Sequence, residues 1–491
     1  VSEAYLAEGL HRWASGGPAL GGGFVAGVDV GTTRVKLAVF DEEGEVVESF
    51  AVRSPLVWRR GLGVHDAASL RRLVLGMVER ALRRGAVAVG VSVYRASVAR
   101  WGPGGRPSSP IVLWLDRVLH LRAWRALPRA ARLLSRAPLL GRAFSPLSPL
   151  PVIRFLWRGA RRGERVWTVD ALVSEWLGAG FVSEPGSAAL TGLVDPWSLR
   201  PLGLVAAAAG LRGLPFPRVG ENVLPDRPRG VAALAADQQA AVLGSPCRPG
   251  GGCVKLSLGT GFFADLPLPG RPPRLLGQGL IPVVLYRVGD RVGYGVESMA
   301  PGAGLALESM AGAVGGLEAL RRLGPGDCRR GWDGGLVLPF LGGPAGKGLG
   351  PDRVVALGSP GLRGGRDLAC SLVAGAAVAA MLLLSLHGPA ISRVYLTGGA
   401  SRIPLLRGLI AASFPGETLL CREDTAPRGA AMLAAQALEA ELPAAECSSL
   451  GRGRGGYREA AGLLQRLLRA RRPGEADEAL QGLRRLVEDL L

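Results

Sequence analysis

One motif occurs at two places in the chain, a full domain apart. Residues 24–30 (FVAGVDV) enter Gly31-Thr32-Thr33 and leave through 35–40 (VKLAVF), and residues 254–258 (VKLSL) enter Gly259-Thr260-Gly261 and leave through 262–266 (FFADL). Apolar runs on both sides of a glycine turn predict a β-hairpin. Two such hairpins at this separation predict a duplicated α/β architecture with two facing halves, since the period is far too long for a solenoid. The 491 residues leave room for two or three domains, and 48% hydrophobic with 20% charged residues is ordinary globular usage that excludes wholesale disorder.

Each hairpin opens a longer alternation. After the first come a turn at 41–44, a strand at 45–52, a helix at 66–84 and a buried strand at 86–93. After the second come strands at 280–286 and 292–297, a helix at 303–313, a strand at 391–396, the glycine turn Thr397-Gly398-Gly399-Ala400, and helices at 403–414 and 429–440. Residues 368–386 are apolar and long enough to span a bilayer. Their Ala and Gly content, Ser371 and Ser385, and the lack of a second span or aromatic belt favour a buried helix. The expected organisation is an N-terminal extension at 1–23, domains at 24–248 and 249–440, and an appended helical pair at 441–491.

A formal charge of +19 invites a nucleic-acid partner. Composition argues otherwise: lysine occurs only at 36, 255 and 347, asparagine only at 222, and no aromatic-and-basic recognition module accompanies the arginines. The bias fits high-GC coding and, through scarce Asn, a heat-adapted host. No nucleic-acid or membrane partner is expected. Six cysteines without a CxxC pair or histidine at ligand spacing point to a reducing cytoplasm, and the first residues have neither the basic start nor the apolar run of a secretory signal. Two glycine-rich segments mimic nucleotide motifs and are set aside. Residues 342–348 lack P-loop spacing, and 451–456 fit GxGxxG without a preceding strand.

Glycine at a hairpin tip lets backbone N–H groups approach a phosphate, and the neighbouring threonine adds a hydroxyl. Gly31-Thr32-Thr33 and Gly259-Thr260 are therefore either structural turns or phosphate cradles, and their pairing with a Gly-Gly turn at 398–399 favours cradles. Asp29, at the end of the strand before the first tip, suits magnesium, which takes carboxylate and water oxygens. Lys36 could meet a terminal phosphate. Asp237, in Ala235-Ala236-Asp237-Gln238-Gln239-Ala240-Ala241, is either a helix cap or a general base. Its position just before the second hairpin favours the base.

These segments resemble the FGGY family of carbohydrate kinases, in the actin, hexokinase and heat-shock ATPase superfamily, from about residue 24 to 440. Gly27 to Thr33 with Lys36 resembles the first phosphate motif, 254–263 the second, and Leu396-Thr397-Gly398-Gly399-Ala400-Ser401 the adenosine motif. Asp424 with Gly429-Ala430-Ala431 resembles the acidic residue and Gly-Ala-Ala that come after the adenosine motif, and Asp237-Gln238-Gln239-Ala240-Ala241 resembles the string that carries the family's catalytic base. The resemblance implies two ribonuclease H-like (actin-like ATPase) domains facing across a nucleotide cleft. It implies ATP and Mg2+ as cofactors, with Asp237 as base and Asp29 and Asp237 near the metal. Gly31, Thr32, Thr33, Lys36, Gly259, Thr260, Gly398, Gly399, Ala400 and Asp424 would lie around the nucleotide. Arg95, Tyr94, Trp114, Asp116 and Gln238 would lie around a small sugar or polyol. Val93-Tyr94-Arg95-Ala96-Ser97 departs from the glycerol-kinase pattern, since Ala96 replaces a polyol-binding Glu, and the xylulokinase histidine is absent. The expectation is a cytoplasmic kinase of a ketose such as xylulose or ribulose. A glycerol or other polyol kinase, and a non-catalytic nucleotide-gated sugar-binding protein, are the alternatives. The doubled architecture permits a homodimer.

Overall fold

The computed structural model describes residues 23–59, 62–137, 141–277, 279–329, 335–338, 355–357, 365–388, 390–469 and 473–490. The N-terminal extension up to residue 22 and the P-loop-like 342–348 lie outside them. Both hairpins form. β1 (Phe24–Val30) and β2 (Arg34–Phe40) pair antiparallel with Asp29 opposite Lys36, and β3 (Val46–Arg53) continues on β2. α1 (Ala67–Arg83), capped by the Asp66 side chain accepting from the Ser69 amide, crosses to β4 (Ala86–Val93), parallel to β1. β5 (Val231–Ala236) adds in parallel to β4. The sheet order is β5-β4-β1-β2-β3. β1, β4 and β5 are almost wholly buried, so both their faces must be apolar, which is why they read as continuous hydrophobic runs. α2 (Asp237–Gly244) follows β5 directly.

The second sheet comprises β6 (Cys253–Leu258), β7 (Phe262–Leu268), β8 (Leu280–Val288), β9 (Arg291–Ala300), β10 (Arg393–Thr397), β11 (Glu417–Cys421) and β12 (Cys447–Arg452). Its order is β8-β9-β7-β6-β10-β11-β12. Without the edge strands β8 and β12, the order and polarity repeat those of the first sheet: two antiparallel neighbours on one side of the opening strand and two parallel ones on the other. The duplication inferred from the hairpins extends to the whole sheet.

α3 (Ala303–Ala311) packs at the second turn, and α4 (Gly365–Ser385) is the long apolar helix. α4 is a core helix, buried along Ala369–Leu384 against the strand Leu336–Leu338 and the helix Pro404–Ser413. α5 (Thr425–Gln436) follows β11 but leaves its own sheet to pack on β1, β4 and α2 of the first half. Backbone meets backbone there. A Cβ on Gly27 would lie 1.7 Å from the Pro427 carbonyl oxygen, and one on Gly429 would lie 1.7 Å from that of Ala240. Residues 441–491 do more than append a helical pair. β12 is the edge of the second sheet, and α6 (Tyr457–Arg469) and α7 (Pro473–Leu490) close its core, with Tyr457, Leu483 and Val487 buried.

The cysteines require a correction. All six pair, as Cys247–Cys253, Cys328–Cys370 and Cys421–Cys447. Two of the pairs join residues 42 and 26 apart, which meet only after folding, and the cysteines no longer argue for a reducing cytoplasm.

Gly429→Ala should destabilise by about 1–3 kcal/mol or more through overpacking. Gly408→Ala, with nothing within 4 Å of the added carbon, should be neutral or stabilising by up to about 1 kcal/mol. Denaturant midpoints check both. Removing the Cys328–Cys370 bond, whose partners are 42 residues apart, should cost about 2–4 kcal/mol. A lower Tm in reductant, reproduced by the Cys370→Ala variant without it, is the expected result.

Candidate active site

The two Gly-Thr turns face one cavity of about 800 Å³, a size suited to a ligand site. Asp29, Gly31, Thr32, Thr33 and Lys36 line it from the first half, and Gly259, Thr260, Gly398, Gly399, Ala400 and Asp424 from the second. Asp237, Gln238, Arg95 and Trp114 line the same cavity.

Asp29 ends β1, where its register places it opposite Lys36. One carboxylate oxygen accepts from the Ser92 hydroxyl at 2.8 Å, and the other lies 3.3 Å from the Lys36 ammonium. Lys36 also reaches Asp424, the N-cap of α5, at 2.5 Å. Burial pushes Asp29 up to about 6, Lys36 opposes the shift, and the neighbouring Asp424 and Asp237 charges add to it. Burial disfavours the Lys36 charge, but the two aspartates outweigh it and hold the ammonium above the usual lysine range. For Asp424, burial is likewise outweighed by Lys36, and its carboxyl falls below the usual range.

Asp237 opens α2, immediately after β5. The cap position belongs to Ala236, with no side-chain cap, so the capping alternative is set aside. Its carboxylate accepts from the Gln238 amide at 2.8 Å and lies 3.5 Å from Arg95 Nε. Burial raises its proton affinity against the pull of Arg95, the direction a general base near neutral pH needs. The Gln238 side-chain oxygen accepts from Lys255 at 2.9 Å, which leaves its NH2 to donate. Lys255 is fully buried and also contacts Asp265 and Ser257, at 2.8 and 2.9 Å.

Arg95 donates through Nη2 to Glu297 at 2.7 Å, and its guanidinium stands 5.4 Å from the centre of the Phe263 ring. Ala96 beside it holds φ at 59°, in the left-handed region that non-glycine residues seldom adopt. The Trp114 indole N–H donates to the Thr32 hydroxyl at 3.0 Å, and its ring meets Phe263 edge-on. Tyr94 and Asp116 do not line the cavity. The Tyr94 hydroxyl meets His65 Nδ1 at 2.8 Å, while His65 Nε2 lies 2.9 Å from the Thr32 carbonyl. A carbonyl only accepts, so Nε2 carries the proton and Nδ1 accepts from Tyr94, and this buttress holds the first turn. Asp116 caps the helix Arg117–Arg125 by accepting from the Leu119 amide.

Sequence reasoning missed Lys255, Phe263, Glu297 and His65. A signal existed for the first. In a chain with 59 basic residues and only three lysines, two of the three stand at this cavity or its floor.

No group of three or more His, Cys, Asp or Glu among the described residues is placed to hold a metal alone. The donor set still fits magnesium. Asp29 and Asp237 are hard oxygen donors, and the mutual repulsion of Asp29, Asp237 and Asp424 is what a dication relieves. Magnesium characteristically completes its shell with phosphate and water oxygens.

No protein-family model matches the chain. It is 27% identical over 331 residues to glycerol kinase 5 of Bos taurus, covering 58% of this chain and 62% of that one. It is 26% identical over 324 residues to an uncharacterized sugar kinase of Archaeoglobus fulgidus, covering 58% and 64%. The chain thus spans about three fifths of the length of the curated relatives it matches. Among solved structures it superposes on Plasmodium falciparum glycerol kinase with ADP at a TM-score of 0.70 and 15% identity, covering 94% of this chain and 98% of that one. It superposes on the ligand-bound xylulose kinase of Lactobacillus acidophilus at 0.71 and 17% identity, with the same coverage. These likenesses and the repeated sheet define a two-domain, actin-like ATPase fold. In sequence and in fold the chain is thus similar to glycerol kinases and other FGGY carbohydrate kinases.

The buried acids predict a pH dependence of stability. Burial and Asp265 push Glu297 from 4.5 up to about 8 against Arg95, and burial beside Asp170 pushes Glu184 from 4.5 up to about 7. Both bind protons more tightly folded than unfolded, so their contribution is complete at acid pH and lost as pH rises through the folded values. His65 and His387, pushed by burial from 6.5 down to about 4, act with the opposite sign only below 6.5. Between about pH 6.5 and 8 the unfolding free energy should therefore fall, and Glu297→Gln should flatten the upper part of that slope in denaturation series.

Proposed function

We propose that this protein transfers the γ-phosphoryl group of ATP to a hydroxyl of a small sugar or polyol. The observation that carries the reading is the Asp237 carboxylate, with raised proton affinity, lining the same cavity as both Gly-Thr turns. Asp237 accepts the proton of the acceptor hydroxyl as its oxygen attacks the γ-phosphorus. Gln238, oriented by Lys255, and Arg95, oriented by Glu297, hold that acceptor. The backbone N–H groups of the two turns and Lys36 face the phosphates, and Gly398 to Ala400 face the nucleoside. Magnesium, held by Asp29 and Asp237, would neutralise phosphate charge when bound. Phosphoryl transfer depends chiefly on alignment and electrostatic stabilisation, and a cavity lined by charged groups from both domains supplies both.

Among acceptors, a ketose such as xylulose or ribulose is favoured over glycerol, because Ala96 brings no carboxylate to the polyol beside Arg95. A nucleotide clamp without phosphoryl transfer is the reading of another class. Asp237 weighs against it, since a clamp has no use for a base beside an amide and a guanidinium.

ADP release measured with xylulose, ribulose, glycerol and erythritol should be acceptor-dependent for at least one of them. Asp237→Asn should lower kcat by about 10²–10⁴-fold with ATP binding retained. Turnover that survives this substitution, or ADP release indifferent to every acceptor, rejects the reading.

A further inference from the structure

One side chain touches both Gly-Thr turns. Trp114 lies between the strand Ile111–Val112 and the helix Arg117–Arg125, and its own amide donates to the fully buried Ser97 hydroxyl at 3.1 Å. That anchor fixes where the indole starts. From there its N–H reaches the Thr32 hydroxyl of the first turn at 3.0 Å, while its ring meets Phe263 edge-on at 6.0 Å between centres. The second turn runs flush against the same pair of rings. A Cβ on Gly261 would lie 3.1 Å from the far edge of the indole, at Cη2, and 2.8 Å from the Phe263 ring.

The hydrogen-bond roles at this contact are forced. An indole N–H only donates, so the Thr32 oxygen accepts from it and must direct its own proton elsewhere. That hydroxyl donates to no described residue. Thr32 is 6% exposed and lines the cavity, which leaves the cavity as the destination of the proton. The backbone of the same residue is pinned as well, since His65 Nε2 donates to its carbonyl at 2.9 Å. An O–H held in this way and aimed at a phosphate oxygen makes a charge-assisted hydrogen bond that needs no reorganisation during reaction. A hydroxyl free to rotate would also turn a lone pair on the phosphate and repel it. The indole has one polar hydrogen, and with Thr32 engaging it none is left for an acceptor hydroxyl.

We propose that Trp114 is a positioning residue for the phosphoryl donor: by donating to the Thr32 hydroxyl it commits that hydroxyl's proton to a phosphate oxygen, and by packing against Phe263 and Gly261 it keeps the second turn aligned with the first. Sequence sets this tryptophan beside the sugar; its N–H acts on the other substrate. The assignment deepens the kinase reading and rests on its placement of the nucleotide phosphates between the two turns.

The test is a double-mutant cycle in the full chain between Trp114→Phe, which keeps a ring but brings no N–H, and Thr32→Val, which keeps the shape but brings no hydroxyl. ADP release gives kcat and both KM values, and calorimetry gives the affinity for a non-hydrolysable ATP analogue. Trp114→Phe should lower kcat/KM for ATP about tenfold, the scale of one hydrogen bond, with KM for the acceptor changed less than twofold. In the Thr32→Val background the same substitution should add less than twofold, whereas a merely structural role predicts that the two losses multiply. Thr32→Ser keeps the hydroxyl and should stay within threefold of the wild type, and Trp114→Leu serves should the phenylalanine variant not fold. The assignment is overturned by ATP parameters that Trp114→Phe leaves unchanged, by a loss that persists undiminished in the Thr32→Val background, by a loss confined to the acceptor KM, or by Thr32→Ser performing no better than Thr32→Val. Should no acceptor support ADP release, the kinase reading fails, and the same cycle read on analogue affinity still decides the Trp114 assignment.

Discussion

The seating of α5 on the opposite half of the molecule is the constraint on which the rest depends. Helix and sheet approach until backbone touches backbone at Gly27 and Gly429, a separation that side chains at those positions would prevent. α5 starts at Asp424, so the same contact sets that carboxylate against Lys36 on β2. One crossing thus joins the two domains and positions the Lys36–Asp424 pair at the cavity. Arg428 secures it by hydrogen bonding to Pro443 and Gly44 while its guanidinium lies over Phe40.

The site sorts its charges by burial and pairing. On one side, Asp29, Lys36 and Asp424 form a cluster in which a single cation serves two acids. On the other, Asp237 and Glu297 share Arg95 through Nε and Nη2, and Lys255 holds Gln238 from below. Each arrangement leaves a group incompletely satisfied: a carboxylate pushed upward by burial in the first, an unpartnered guanidinium nitrogen in the second. Partial satisfaction of this kind stores capacity for a ligand, because the missing partner recovers the desolvation already incurred.

Much of this is legible in the unfolded chain. The two hairpins predict the duplication, and five strands of each sheet repeat it in order and polarity. The Asp237 string and the three glycine turns point to one cleft, and they line one cavity. Tyr94 and Asp116 are expected with them and lie elsewhere, one supporting His65 and the other capping a helix. Proximity in sequence to Arg95 and Trp114 does not tell which face of a strand end or helix start a side chain takes. Glu297 and Asp265 escape a sequence reading because a charged residue inside an apolar strand is taken for an interruption unless its cross-strand partner is known.

Sequence alone determined the element order and the turns, because hydrophobic period and glycine placement are local properties, each readable within a few residues. Tertiary structure decided the cysteine pairing, the Lys255–Asp265–Glu297 ladder and the meeting of Arg95 with Glu297. Apart from Cys247–Cys253 and the hairpin pair Lys255–Asp265, these are contacts between segments distant along the chain, and they exist only once register and domain seating bring the partners within bonding distance.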